Sequence, residues 1–334
     1  MTNSKSNLIF RIINLSVFII LITAVNLFAQ YTQITNALLE KDTVRILVTD
    51  SGLGGFSVAA GIDSILSANK SLKNVQIIFC NALPKSNFRY NELNDAQSKA
   101  DIFSGILYKM QGYFKPDIIL IACNTLSVVY PLTDFSKNAH TPVLGIVELG
   151  VKITTDSLMK NPDASAIIMG TETTIQSSAH KDLLIKNGIS NERIAVQSFP
   201  NLESEIQADP SSDMVNNLID FYLDEMPKQS QKESESKVFA AMCCTHYGFA
   251  KSAFEKKLNS IFKNVCMINP NESMIRLFEF SRKEVTGTNN VSIALYSQAV
   301  LSTEEIKGVC KLISPVSAKA GKALENYIRL NGIF

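Results

Sequence analysis

Val44-Arg45-Ile46-Leu47-Val48-Thr49-Asp50-Ser51-Gly52-Leu53-Gly54-Gly55-Phe56 decides the fold. Its first half is a compact run of β-branched and aliphatic residues, its second half a polar, glycine-rich turn, and a segment of helical spacing from Ser57 to Ala68 follows. A run that is apolar at successive positions belongs to a strand buried on both faces, as in parallel sheets. The same unit recurs. Val75 to Cys80, Ile118 to Ala122, Pro142 to Val147, Ala166 to Met169, Arg193 to Gln197 and Val238 to Met242 read as strands, with Asp95 to Phe114, Thr174 to Asn187 and Asp213 to Asp224 as crossover helices. This alternation predicts an α/β fold with mainly parallel sheets. Beyond Asn290, a strand from Val291 to Ser297 and helices from Thr303 to Leu312 and Val316 to Leu330 are expected to pack back onto the first domain.

Laid over each other, the two halves repeat. Cys123 follows Asp50 by 73 positions, and Cys244 follows Thr171 by 73. Each cysteine closes an apolar strand and opens a polar turn, Cys123-Asn124-Thr125 in one half and Cys244-Thr245-His246 in the other. The expectation is two similar doubly wound α/β domains, residues 42–142 with 250–334 and residues 143–249. Ligands of such sheets lie beyond the carboxyl ends of the strands, so each half would present one cysteine to a shared cleft. The polar stretch from Lys228 to Lys237 reads as a solvated loop.

The bulk composition narrows the partner. The 334 residues carry 32 basic and 31 acidic side chains, no Lys/Arg cluster and no tryptophan, which argues against nucleic acid and for a small polar ligand. Lys5 and Arg11 precede an apolar run from Ile12 to Ala29 that breaks at Gln30. This reads as a secretory signal peptide (residues 1–29) cleaved after Ala29, giving a periplasmic protein; an uncleaved anchor is the rival reading. Six cysteines in an exported chain would ordinarily suggest disulfides. A domain of this size needs no staples, however, and two of the cysteines stand where chemistry would need free thiols.

Inverting a stereocentre beside a carboxylate requires removal of a proton from one face and delivery to the other, which two thiols on opposite sides can perform. Cys123 and Cys244 are the candidates, with their acidity expected to fall toward neutrality at strand-to-helix turns. Asp50 is the expected orienter of Cys123, and His246 of Cys244. Cys80, Cys266 and Cys310 read as core, and Cys243 either as core or as a vicinal disulfide partner of Cys244. Asp50 to Phe56 fails as a dinucleotide fingerprint, because Ser57 replaces the third glycine and no acidic residue closes the next strand at Cys80-Asn81. Its glycines are expected to offer N–H groups to a ligand carboxylate. His140 and His180 receive no role, and three scattered histidines make a metal site improbable.

Asp50-Ser51-Gly52-Leu53-Gly54-Gly55, Ala122-Cys123-Asn124-Thr125, Pro142 to Glu148, Gly170-Thr171-Glu172-Thr173-Thr174-Ile175 and Cys244-Thr245-His246-Tyr247 together resemble the aspartate/glutamate racemase superfamily, and glutamate racemases in particular. The resemblance implies interconversion of L- and D-glutamate without a cofactor, with Cys123 and Cys244 as bases. It implies substrate contacts from Asp50, Ser51, Tyr90, Asn91, Asn124, Thr125, Thr171, Thr245 and His246. Arg89-Tyr90-Asn91 replaces the family's Pro-Tyr-Gly loop, and Lys85 and Arg89 bring charge near it. Export also departs from relatives that supply cell-wall precursors in the cytoplasm. Competing readings are a racemase or isomerase for aspartate or another α-carboxylated compound, a periplasmic binding protein without thiol chemistry, and a cysteine hydrolase using Cys244 and His246. The expected partner is a small-molecule amino acid; a homodimer is an open option, and no stable membrane insertion is expected after cleavage.

Overall fold

Among the described residues of the computed structural model, 33–226, 236–280 and 289–333, every strand pairing is parallel. The expected signal peptide lies outside the described residues, as does the expected loop from Lys228 except for Ser236 and Lys237. One sheet holds β1 (Thr43–Asp50), β2 (Asn74–Asn81), β3 (Ile118–Ile121), β4 (Val143–Gly145), β9 (Asn290–Ser297) and β10 (Ile328–Arg329), in the order β10-β9-β2-β1-β3-β4. The second holds β5 (Ser165–Gly170), β6 (Ile194–Ser198), β7 (Val238–Cys243) and β8 (Val265–Ile268), in the order β6-β5-β7-β8.

The crossovers are α1 (Phe56–Asn69), α2 (Ala96–Phe114), α3 (Asn124–Val129), α4 (Asp134–Asn138), α5 (Ile146–Met159), α6 (Glu172–Gln176), α7 (Ala179–Lys186), α8 (Leu202–Ala208), α9 (Asp213–Asp224), α10 (Lys251–Ile261) and α11 (Pro270–Arg276). Two tail helices, α12 (Thr303–Ile313) and α13 (Ala318–Glu325), follow β9. Strand side chains alternate between faces and successive strand residues are apolar, so both faces of each sheet are apolar. Ile46 and Val48 join a layer with Phe56 and Ile62 of α1 and Val309 and Leu324 of the tail helices, while Leu47 joins Phe103 and Leu107 of α2 on the other side. Met169 and Met242 meet Ile219 and Phe254 on one face of the second sheet, and Ile168 and Ala241 meet Leu158 and Leu184 on the other.

Several expected elements are corrected. Ile146 and Val147 begin α5 instead of prolonging β4. The helix expected from Thr174 to Asn187 is two helices, because Ser178 adopts left-handed backbone at φ 56°. The last expected helix spans only Ala318–Glu325. Ser317 starts it by accepting the Ala320 N–H at 3.0 Å and donating to the buried Asp63 at 2.6 Å, and the chain then extends to pair β10 with β9. Lys319 closes the same cluster at 2.8 Å from Asp63, tying the tail to α1 of the first sheet. Sheet membership also runs past the expected domain division: β4 pairs with β3, and β8, reached from β7 through α10, belongs to the second sheet.

Candidate active site

Strand order reverses between β1 and β3 in the first sheet and between β5 and β7 in the second. Chains leaving such neighbours diverge to opposite faces and open a crevice beyond the strand ends. Asp50 ends β1 and Cys123 lies just beyond β3; Thr171 follows β5 and Cys244 follows β7. Both crevices open into one cleft of about 250 Å³, whose walls include Asp50, Ser51, Tyr90, Asn91, Cys123, Asn124, Thr125, Thr171, Cys244, Thr245 and His246. The fold thus brings together every residue singled out for the site. The equal spacing is not a strict equivalence, since Thr49 pairs with Ile121 but Gly170 with Cys243, which brings Ser51, not Asp50, level with Cys123.

Cys123 is the N-cap of α3, its Sγ accepting the Leu126 N–H at 3.4 Å. Ser51 Oγ lies 3.2 Å from that sulfur and 3.3 Å from Asp50 Oδ1, so Asp50 reaches Cys123 through Ser51. The other Asp50 oxygen accepts the Gly55 N–H at 2.5 Å and the Thr245 hydroxyl at 2.8 Å. Across the cleft, Cys244 Sγ stands 3.8 Å from His246 Nδ1. The six cysteines are free thiols, and Cys243 at the end of β7 packs into the layer of α5 and α7.

The expected acidity of the two thiols is corrected. Burial pushes Cys123 well above the ordinary thiol value, and the charge of Asp50 adds to this; the hydrogen bonds from Ser51 and Leu126 oppose it. Burial likewise raises Cys244, with Glu203 next in importance. A helix N-terminus or a single N–H does not offset loss of water around a thiolate when the neighbouring side chains are anionic. Burial pulls His246 down, while Asp50 and Glu203 push it up. Burial and these neighbours therefore favour the thiol form of both sulfurs.

Of the turn's glycines, Gly55 does not offer its N–H to a ligand as expected. The Gly55 N–H is taken by Asp50 and the Leu53 N–H by Gln207 Oε1 at 3.3 Å. What the turn supplies is space, since a Cβ on Gly54 would lie 2.6 Å from His246 Nδ1 and collide with Thr245 Oγ1. Tyr90 lines the cleft with its ring buried and its hydroxyl donating to the Ala82 carbonyl at 2.8 Å. Arg89 reaches the cleft wall, donating to Ser204 Oγ at 2.6 Å, whereas Lys85 lies in a separate surface hollow with Arg329.

Six further residues enter to which the sequence reading gave no site role. His180, assigned no role, is buried and its Nε2 lies 3.1 Å from Asn124 Oδ1; burial lowers its pKa to about 4, so the neutral ring donates and holds Asn124. Thr125 and Thr171 meet at 2.9 Å, and the Thr171 hydroxyl donates to Thr174 Oγ1 at 3.0 Å. The buried Lys99 donates to Thr173 at 2.7 Å, Thr173 to Asn91 at 2.8 Å, and Asn91 to Glu203 at 3.1 Å, stitching the lobes together. Glu203 Oε2 is buried without a hydrogen-bond partner among the described residues. Gln207, one turn along α8, accepts from His246 Nε2 at 3.0 Å. A Glu-Gln pair at i and i+4 was the one available signal. Among the described residues no group of three or more His, Cys, Asp and Glu is placed to hold a metal ion.

No protein-family model matches the chain. Its sequence is 27% identical over 224 residues to a glutamate racemase of Aquifex pyrophilus, covering 65% of this chain and 77% of the relative. It is 23% identical over 273 residues to a glutamate racemase of Campylobacter jejuni, covering 80% and 97%. Among solved structures, the glutamate racemase isoform RacE1 of Bacillus anthracis superposes with a TM-score of 0.63 at 17% identity, covering 82% of this chain and 95% of that one. The Francisella tularensis glutamate racemase in complex with D-glutamate superposes with a TM-score of 0.62 at 19% identity, covering 87% and 97%. The chain is thus similar to glutamate racemases in sequence along most of its length and shares their two-domain α/β fold.

Proposed function

We propose that the chain is a cofactor-independent amino-acid racemase that interconverts L- and D-glutamate, with Cys123 and Cys244 exchanging protons with the two faces of the α-carbon. The observation that carries this reading is that two free thiols, one from each lobe, line a single cleft together with hydroxyl, amide and imidazole groups. One thiol must be ionised to take the α-proton while the other remains protonated to return one. The burial and anionic neighbours that favour both thiols also define what a bound substrate must change. A substrate ammonium set beside Asp50 and Glu203 offsets their charge and favours a thiolate. The Asn124 side-chain NH2, buried without a partner among the described residues, offers a hydrogen bond to the carboxylate whose negative charge grows as the α-carbon is deprotonated.

The test is to follow the circular dichroism of L-glutamate, D-glutamate and L-aspartate with purified protein under reducing conditions. Decay from both glutamate enantiomers to zero signal, with aspartate stable, is expected. Turnover of aspartate alone would move the substrate, and tight glutamate binding with a constant signal would replace the racemase by a binding protein.

A further inference from the structure

His246 is approached from behind by a relay that the two-thiol reaction does not itself require. Glu305, in the first turn of α12, forms a capping box: its N–H donates to Ser302 Oγ at 3.2 Å and its Oε2 accepts the Ser302 N–H at 2.9 Å. Its other oxygen, Oε1, accepts from Gln207 Nε2 at 2.8 Å. The Gln207 amide is held at its other end too, because Oε1 accepts the Leu53 N–H at 3.3 Å. Turning the amide over would set oxygen against carboxylate and NH2 against N–H, so its orientation is determined by both neighbours. Only lone pairs then face His246 Nε2, 3.0 Å away, and the ring nitrogen must be the donor.

We infer that Gln207 and Glu305 are positioning residues that keep the proton of neutral His246 on Nε2 and leave the Nδ1 lone pair facing Cys244. The use made of that lone pair rests on the racemase reading; the tautomer does not. In the step, the S–H bond of Cys244 breaks, its proton passes to Nδ1, and the bonding electrons stay on sulfur as thiolate. The imidazolium keeps its Nε2–H on Gln207, and the reverse transfer restores the thiol. The charged and titratable groups around the ring are Asp50, Glu203 and Cys244, with Glu305 one amide away. The relay spans the molecule, from the tail helix through α8 of the second lobe to the glycine-rich turn of the first.

The chain has three histidines, so ring nitrogens labelled with 15N can be resolved by long-range proton-nitrogen NMR, with His246→Gln assigning the signal. The parent is expected to show His246 protonated on Nε2 at neutral pH. Gln207→Leu should lose that preference and slow α-proton exchange of glutamate on the order of 100-fold. The paired swap Gln207→Glu with Glu305→Gln sets a carboxylate oxygen against Nε2 and an amide donor behind it, and should recover both tautomer and rate. A parent ring protonated on Nδ1, or a Gln207→Leu variant with unchanged tautomer and rate, would overturn the inference. A parent that exchanges no α-proton sinks the racemase reading instead, and the ring spectrum still decides the relay.

Discussion

A methyl group on Gly54 would occupy the space where Thr245 Oγ1 and His246 Nδ1 cross from the second lobe toward the first. Nothing about its backbone requires glycine, since its φ is not in the left-handed region; the requirement is for room. Gly54→Ala is therefore expected to lower the melting temperature by a few degrees, as Thr245 is pushed off Asp50, and to displace the imidazole, with a loss of racemisation on the order of 100-fold. Initial rates beside a thermal melt check this, and a variant with parental rates would show that His246 tolerates the shift. That Cys123-Asn124-Thr125 and Cys244-Thr245-His246 face one cleft was legible from the pairing of the two motifs. Their protonation was not. Helix position suggested acidic thiols, but burial and the placement of Asp50 and Glu203 are properties of the packed cleft.

The break between α6 and α7 shows the same limit at the scale of an element. Apolar spacing from Thr174 to Asn187 continues across Ser177-Ser178, yet Ser178 turns left-handed and α7 restarts with His180 pointing inward to Asn124. That makes His180 a buried neutral base, lowered from 6.5 to about 4. Below its ordinary value the unfolded chain binds a proton that the folded chain refuses, so stability falls as pH drops through this window and levels off below the folded value. The loss is roughly 3 kcal/mol between those limits. Urea unfolding of the parent and of His180→Gln should diverge by about that amount from pH 7 to about pH 4; parallel curves would show that the ring is solvated. Long strands buried on both faces were read correctly for the same reason that β8 and β10 were missed. Val265–Ile268 is four residues with mostly half-buried side chains, and Ile328–Arg329 is a two-residue exposed edge, too little apolar run to stand out.

Across the whole molecule, apolar packing joins the lobes away from the site, with Phe249 and Val128 each set against a core layer of both, whereas around the cleft the contacts are polar. Thr245 on Asp50, Gln207 on Leu53, Thr125 on Thr171, His180 on Asn124 and the line from Lys99 to Glu203 all cross from one lobe to the other. Polar seams of this kind hold orientation at the cleft, and under the proposed function they would let a small zwitterion enter and leave. The repeat of strand, turn and cysteine made the two-lobed plan visible in advance, but the residues that lock the lobes together lie on loops and short helices with no periodic signature. The central claim is that one thiol from each lobe serves one face of the same carbon. Its most direct test is proton NMR of L- and D-glutamate in deuterated water with the parent, Cys123→Ser, Cys244→Ser and the double variant. The account predicts exchange with inversion from both enantiomers in the parent, none in the double variant, and in each single variant no inversion and at most exchange of one enantiomer, a different one for each. Inversion that survives in either single variant, or the same enantiomer exchanging in both, would contradict it.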